Sequence, residues 1–562
     1  MRARYFCARA RENADLLWMH QAMTTPRQST QSSPSPVAPA APPAPVEVAI
    51  DPFLGRRAYL IGIGGCGMSG LARMLAERGA IVRGSDNAQT DVTDSLARRG
   101  IEVSFDQQAA LIPEDADLVI ASAAIRPDHP EMAAALERGI ETLTYAEALG
   151  RCMIGRTGVA LAGTHGKSTT SAMLGVALAH AGIDPTVIVG AVCTQLARPG
   201  DVASGFRMGR PAIPAGPRQG EPGVLICEAC EFNRSFHHLR PTIAAITSVE
   251  ADHLDIYGSL DAVIESFAQF ARNIPSGAEG GRLLIAHQNA HRREVTAGLT
   301  CDVETIGFAP GADWQITLDK KTQRVTVENH GRTALSFTSP LPGEHMACNA
   351  AFAGVLALWL GADSEKVCEG LSSFKGVDRR MQFLGEKRLP MGRSPRVGVI
   401  STNATDTPTI PRAPGVRVYD DYGHHPTEIE TTLRALREFE KPEERAQFGG
   451  GRLICVFQPH QHSRTRFLME EFAQAFTHAD VVIVPQIYFV RDSEIEKTKV
   501  SSADLVDRLR QRGVMAMHLY PFEAIVEQLQ IICRPGDLLV VMGAGPVWKV
   551  ARGFLDAGTG AS

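Results

Sequence analysis

A chain of 562 residues, 44% apolar and 21% charged, holds material for three or four cores of ordinary size. Its 57 Lys and Arg against 62 Asp and Glu leave a net charge of -5, which gives no electrostatic case for nucleic acid or an anionic membrane as main partner and favours small molecules. The 11 cysteines, odd in number and scattered, fit a reducing cytosol better than a disulfide framework, and no run of 18 apolar residues offers a membrane span.

Residues 1–50 open with Arg2, Arg4, Arg9 and Arg11 but no clean apolar stretch, then turn rich in Pro, Ser and Ala over 23–46. That composition predicts a disordered extension, with a targeting role or a true start at Met23 as the alternatives for it. From residue 56, "RRAYLIGIGGCGMSGLARMLAERGAIVRGSDN" reads as a strand, a glycine turn, an amphipathic helix and a second strand ending at Ser85 and Asp86. Gly62, Gly64 and Gly67 make G-x-G-x-x-G, which lets backbone N–H groups and a helix N-terminus approach a pyrophosphate. Taken alone, the motif fits NAD with Asp86 on a ribose hydroxyl, any other diphosphate, or a plain strand–helix turn. A further strand is predicted over 117–125, and the first domain closes near 155.

"VALAGTHGKSTTSAMLGVALAHAG" follows: an apolar strand, then Gly163, Thr164, His165, Gly166, Lys167, Ser168 and Thr169, then a long helix. Leu161 occupies the first glycine position of G-x-x-x-x-G-K-[ST], yet the physics of a phosphate loop survives. Its N–H groups can cradle phosphates, Lys167 can reach the terminal phosphate, and Ser168 can ligate Mg²⁺. Two phosphate loops in one chain predict an enzyme that holds one diphosphate ligand and hydrolyses or transfers from another.

"VLICEAC" raises the question of a Cys-x-x-Cys site. A zinc site wants a second pair of ligands and a redox pair wants a helix start, and neither context is present. The run reads instead as a strand with Glu228 at its C-terminal end, where an α/β sheet places ligands and a phosphate-loop enzyme places a Mg²⁺-binding carboxylate. The strand "TIAAITSVEADHLDIYG" ends in Asp252, His253 and Asp255, which could serve a second metal or phosphate, or cap the next helix. Segments 201–222 and 387–415, rich in Pro, Gly and Arg, read as surface insertions.

The ordered series "GIGGCGMSG", "GTHGKSTT", "EACE", "ADHLD", "GEHMACNAA", "FKGVDRR", "DDYGHHPTE", "FQPHQHSRTR" and "VMGAGP" resembles the Mur ligase family from about residue 56 to 553, and "GIGGCGMSG" with the pair "DDYGHHPTE" and "FQPHQHSRTR" points to the alanine-adding branch. The resemblance implies an α/β, three-domain architecture after the 1–50 extension: a Rossmann-like UDP-sugar domain (51–155), a P-loop-like ATPase domain (156–377) and a Rossmann-like C-terminal domain (378–562). It further implies a cytoplasmic enzyme, monomer or weak homodimer, that uses ATP and Mg²⁺ to join L-alanine to the lactyl carboxylate of UDP-N-acetylmuramate.

On that resemblance, Gly62, Gly64, Gly65, Gly67, Met68, Ser69, Ser85 and Asp86 hold the UDP-sugar. Gly163 to Thr169 hold the ATP phosphates, His345 and Asn349 lie on the adenine side, and Arg380 and Asp421 reach phosphate and ribose from the C-terminal domain. Ser168, Glu228 and His253 bind magnesium, with Lys167, Glu228 and His253 carrying the catalysis. His424, His460 and Arg464 meet the substrates. Four positions depart from the family pattern: Ser248 and Met346 for Asn, Gln461 for Arg, and Cys230 for an acid. The rival within the class is a ligase that adds a recycled tripeptide to the same UDP-sugar. Outside it stands a non-catalytic nucleotide-binding regulator, which the presence of Lys167 and the metal ligands disfavours.

Overall fold

The computed structural model describes residues 51–389, 415–445, 450–490 and 492–557. The expected disordered extension at 1–50 and nearly all of the 387–415 segment lie outside the described residues. Three sheets follow one another along the chain. The first joins β1 (Arg57–Ile61), β2 (Ile81–Ser85), β3 (Glu102–Ser104), β4 (Leu118–Ala121) and β5 (Glu141–Thr144), all parallel, in the order β3-β2-β1-β4-β5. The order reverses at β1, so the turn after β1 opens at the switch point where such sheets bind ligands. That turn is the glycine motif, and the expected helix follows it at Cys66–Glu77.

The second sheet has ten strands: β6 (Thr157–Ala162), β7 (Thr186–Cys193), β8 (Ser204–Arg207), β9 (Val224–Glu228), β10 (Ile243–Ile246), β11 (Arg282–Ala286), β12 (Asp302–Gly307), β13 (Trp314–Asp319), β14 (Arg324–Asn329) and β15 (Arg332–Thr338). Their order is β15-β14-β13-β12-β11-β10-β6-β9-β7-β8. The neighbours β10, β6 and β9 run parallel, so their C-terminal ends deliver the loop at 247–253, the phosphate loop and Glu228 side by side. Those strands read IAAI, TGVALA and VLICE because both faces are covered, and a strand buried on both sides needs no alternation. The helix Lys167–His180 packs on β7 and β9 and against the helix Glu344–Trp359, and both are buried round most of their circumference.

The segment 201–222 is more than a surface insertion. It contributes β8, which pairs antiparallel with β7, and it buries Phe206 against Gly70 of the first domain's helix. Asp201 accepts from Arg73 at 2.8 Å and also pairs with Arg99, so the segment ties the first sheet's helices to the second sheet. Polar composition concealed this role because a single aromatic and a single carboxylate perform it.

The third sheet joins β16 (Gln382–Lys387), β17 (Val416–Asp421), β18 (Leu453–Phe457), β19 (Val481–Val484), β20 (Met515–His518) and β21 (Leu538–Met542) in the order β16-β17-β21-β18-β19-β20. All but the edge strand β16 are parallel. The loops after β17, β18 and β21 leave the same edge, and they carry Tyr422 to His425, His460 to Arg464 and Gly543 to Gly545. Met346, on the helix Glu344–Trp359, is buried in the apolar cluster of this third sheet with Met381, Tyr419 and Leu433. Methionine instead of asparagine there supplies apolar contact across the two domains.

Candidate active site

The C-terminal edges of the three sheets face one cavity of about 970 Å³. Its wall includes Gly65, Gly67 and Met68 from the first sheet, Thr164, Lys167, Ser168, Glu228 and His253 from the second, and Arg380, His424, His460 and Arg464 from the third. Of the residues assigned to the UDP-sugar, Gly65, Gly67 and Met68 thus meet the cavity. Asp86 is spent on the turn, its Oδ2 accepting from the Gly64 N–H at 2.8 Å. Ser85 is fully buried and donates to Glu131 at 2.6 Å, and Ser69 donates to the Cys66 carbonyl at 3.1 Å, so neither side chain reaches outward. Gly62 turns with a φ of 77°, a left-handed conformation that glycine adopts at no steric cost.

The phosphate loop is braced from β10. The Thr164 N–H donates to the Ser248 carbonyl at 3.0 Å, the His165 N–H to Ser248 Oγ at 2.9 Å, and the Glu250 N–H to Thr164 Oγ1 at 2.9 Å. Thr247 Oγ1 donates to the His165 carbonyl. Serine at 248 therefore supplies a hydroxyl acceptor to the loop. Gly166 has a φ of 83°, and a Cβ on it would stand 2.6 Å from Asn349 Oδ1. Asn349 thus packs on the end of the loop, while Thr169 is buried in the helix behind it and Gly163 abuts Thr247.

Lys167 Nζ curls back to the carbonyls of Gly163 at 2.5 Å and Thr164 at 3.2 Å, and pairs with Glu231 at 2.8 Å. Burial opposes its charge, yet the Glu231 carboxylate outweighs burial and raises its pKa above the ordinary lysine value. Glu228 ends β9, as its place in the sequence predicts, and accepts from the Gly190 N–H at 2.8 Å. Cys227 is a fully buried core residue whose thiol burial pushes up. Cys230 is exposed on the cavity wall. Among the described residues, neither cluster able to hold a metal ion contains a cysteine.

One of those clusters is Glu231, Asp252 and His253, whose donor atoms lie within 4.8 Å of one another. Asp252 does not cap a helix: Arg464 Nη2 reaches its Oδ1 at 2.7 Å from the third domain and approaches His253 Nδ1 at 3.3 Å. Burial works against the Asp252 charge, but Arg464 and then His253 hold the carboxyl far below the usual range. His253 sits at a φ of 52°, and burial lowers its pKa. Asp255 is exposed in the following turn.

Of the third-domain residues, Arg380 faces Glu428 at 3.4 Å, and Asp421 accepts from the N–H groups of Met381 at 2.7 Å and Gly423 at 2.6 Å. Burial pushes the Asp421 carboxyl up to about 6 against the pull of Arg380. His424 is driven well below its ordinary value by burial and by Arg464, and its ring meets His460 edge-on at 5.4 Å. His345 stands beside Gly343, with burial pushing it down to about 4. Gln461 adopts a φ of 67° and is buried, its N–H donating to the Tyr488 carbonyl at 3.0 Å. Sequence reasoning passed over Glu231 and Glu428, although both stand inside the motifs "EACE" and "DDYGHHPTE".

Three family models match in chain order: "Mur ligase family, catalytic domain" over 57–157, "Mur ligase middle domain" over 161–357 and "Mur ligase, glutamate ligase domain" over 409–545. The curated UDP-N-acetylmuramate--L-alanine ligase of Agathobacter rectalis is 36% identical over 502 residues, covering 88% of this chain and 97% of that one. The solved structure of UDP-N-acetylmuramate-alanine ligase MurC from Thermotoga maritima superimposes with a TM-score of 0.65 at 24% identity, over 89% of this chain and 98% of that one. A murein peptide ligase from Psychrobacter arcticus superimposes with a TM-score of 0.62 at 23% identity, over 90% and 100%. These two structural likenesses carry the fold, while the matched models and the curated relative carry the lineage: the chain belongs to the Mur ligase family.

Proposed function

We propose that the protein joins L-alanine to the lactyl carboxylate of UDP-N-acetylmuramate with ATP, giving UDP-N-acetylmuramoyl-L-alanine, ADP and phosphate. The observation that carries the reading is the single cavity walled by the glycine turn, the phosphate loop and the third domain's loops. It occurs in a chain whose curated relatives bear the name UDP-N-acetylmuramate--L-alanine ligase over some nine-tenths of its length.

A free carboxylate is a poor acyl donor. In this reading a lactyl carboxylate oxygen attacks the γ-phosphorus of ATP, ADP leaves, and an acyl phosphate forms. The alanine nitrogen, having shed a proton, then attacks the carbonyl carbon; the tetrahedral intermediate collapses and inorganic phosphate leaves. Both steps gather negative charge. Lys167 is the cation of the phosphate loop, and nucleotide phosphates compete with Glu231 for it. Arg380 approaches from the third domain, and Arg464 and His460 face the substrate side. Docking of that domain excludes water, which would otherwise hydrolyse the acyl phosphate.

Ser168, Glu228 and His253, with Glu231 and Asp252 beside His253, are the residues that would hold Mg²⁺. The residues fit, since the donor atoms of Glu231, Asp252 and His253 lie within 4.8 Å of one another and Ser168 and Glu228 stand on the same cavity wall beside the phosphate loop. When bound, the ion supplies positive charge to the phosphoryl oxygens. Amino-acid-dependent phosphate release from ATP in the presence of UDP-N-acetylmuramate tests the reading, and release without ligated product sinks it.

A further inference from the structure

His165 lies inside the phosphate loop, yet its ring points away to a boundary between domains. Its backbone is fixed to the end of β10 through Ser248 and Thr247. Its imidazole stands between two carboxylates of different origin: Nε2 is 3.5 Å from Glu250 of the middle domain, and Nδ1 is 3.3 Å from Glu428 of the third. A neutral imidazole has no charge to offer either carboxylate, whereas an imidazolium attracts both at once as an ion pair. Burial disfavours that charge, but Glu250 and Glu428 overcome it and raise His165 to about 9.

Glu428 has further duties. From the first turn of the helix Pro426–Glu440 it accepts the backbone N–H groups of His424 at 2.9 Å and His425 at 3.3 Å, and its other oxygen faces Arg380 at 3.4 Å. Around it, Thr427 Oγ1 donates to Glu250 at 2.7 Å, and His425 Nε2 stands 3.3 Å from the Ala251 carbonyl. One carboxylate therefore connects the phosphate loop to two of the third-domain residues that face the cavity, Arg380 and His424.

We propose that His165 is a positioning residue which, through Glu428, latches the docked third domain to the phosphate loop and so sets Arg380 and His424 over the reacting groups. The proposal rests on the ligase reading for the identity of the reaction, but not for the latch itself. The ring sits where only a docked third domain can bring Glu428, so the pair forms on docking and is absent without it. Its effect falls on turnover from the assembled site more than on capture of the nucleotide by the loop backbone.

The test is a double-mutant cycle in the full chain with His165→Gln, Glu428→Gln and the pair, adding His165→Lys as a variant that keeps the charge. Each glutamine variant is expected to lower kcat by about tenfold or more with KM for ATP within about threefold, and the double variant to be no worse than the weaker single. Losses that simply multiply overturn the latch. A fluorescent donor–acceptor pair on the middle and third domains, titrated with a non-hydrolysable ATP analogue, reads docking without chemistry. The glutamine variants are expected to dock less and the lysine variant to recover part of the difference; wild-type docking in His165→Gln overturns the proposal. A wild-type protein that docks but ligates no amino acid would refute the ligase reading and leave the latch standing.

Discussion

Arg464 of the third domain and Asp252 of the middle domain form a buried pair at 2.7 Å, with side chains only 6% and 9% exposed. Removing one member of such a pair strands a charge away from water, at a cost of about 3–5 kcal/mol. Because Arg464 also approaches His253, the cost falls at the junction of the two domains and at a proposed metal ligand. Arg464→Ala is expected to lose ligation by at least about a hundredfold and to weaken docking. A variant with near-normal turnover would remove Arg464 from the site.

Lys167→Ala and Glu228→Ala are expected to abolish ATP-dependent ligation while leaving far-ultraviolet circular dichroism unchanged. Lys167 makes its polar contacts with two loop carbonyls and Glu231, so its loss removes charge from the phosphate site. Turnover by either variant within about tenfold of wild type would contradict the assignment.

The His165 charge makes stability depend on pH. Its folded value of about 9 lies above the ordinary 6.5, so its contribution is complete below pH 6.5 and fades as pH rises through about 9. Its partner Glu250 is held down at about 2, against burial, by His165 and Thr427, and so stays ionised across that window. The difference in Tm between wild type and His165→Gln is expected to be largest near pH 6 and to shrink towards pH 9.5. A difference that grows with pH would contradict the ion pair.

Phe206 is 1% exposed, with a first-domain glycine at its ring and Arg73 stacked over it at 4.7 Å. Phe206→Ala is expected to cost about 3–5 kcal/mol in denaturant unfolding. If the segment 201–222 were merely a surface insertion, the substitution would be silent.

Much of the molecule is legible in the residues because the informative signals are local. The glycine turn between β1 and its helix, the loop before Lys167 and the strand ending at Glu228 each occupy one stretch of chain, and the physics of strand, turn and helix N-terminus reads directly from it. "CEAC" resolved the same way: a strand buried on both faces puts Cys227 in the core and Glu228 at the sheet edge. What composition and spacing did not disclose are partnerships between distant residues. Asp252 reads locally as a metal or phosphate group or as a cap, and turns out to meet Arg464, 212 positions away. Glu231, which sequence reasoning passed over, turns out to hold Lys167. Ser85 reads as a strand-end ligand group, but Glu131 from a later helix claims its hydroxyl. In each case the partner is set by the sheet order, which no single segment encodes.

The central claim is tested most directly by phosphate release from ATP with UDP-N-acetylmuramate and, separately, L-alanine, glycine, L-serine and the recycling tripeptide, with the ligated product identified by mass. Turnover with L-alanine giving UDP-N-acetylmuramoyl-L-alanine is the expected result. Turnover supported by the tripeptide alone would contradict it.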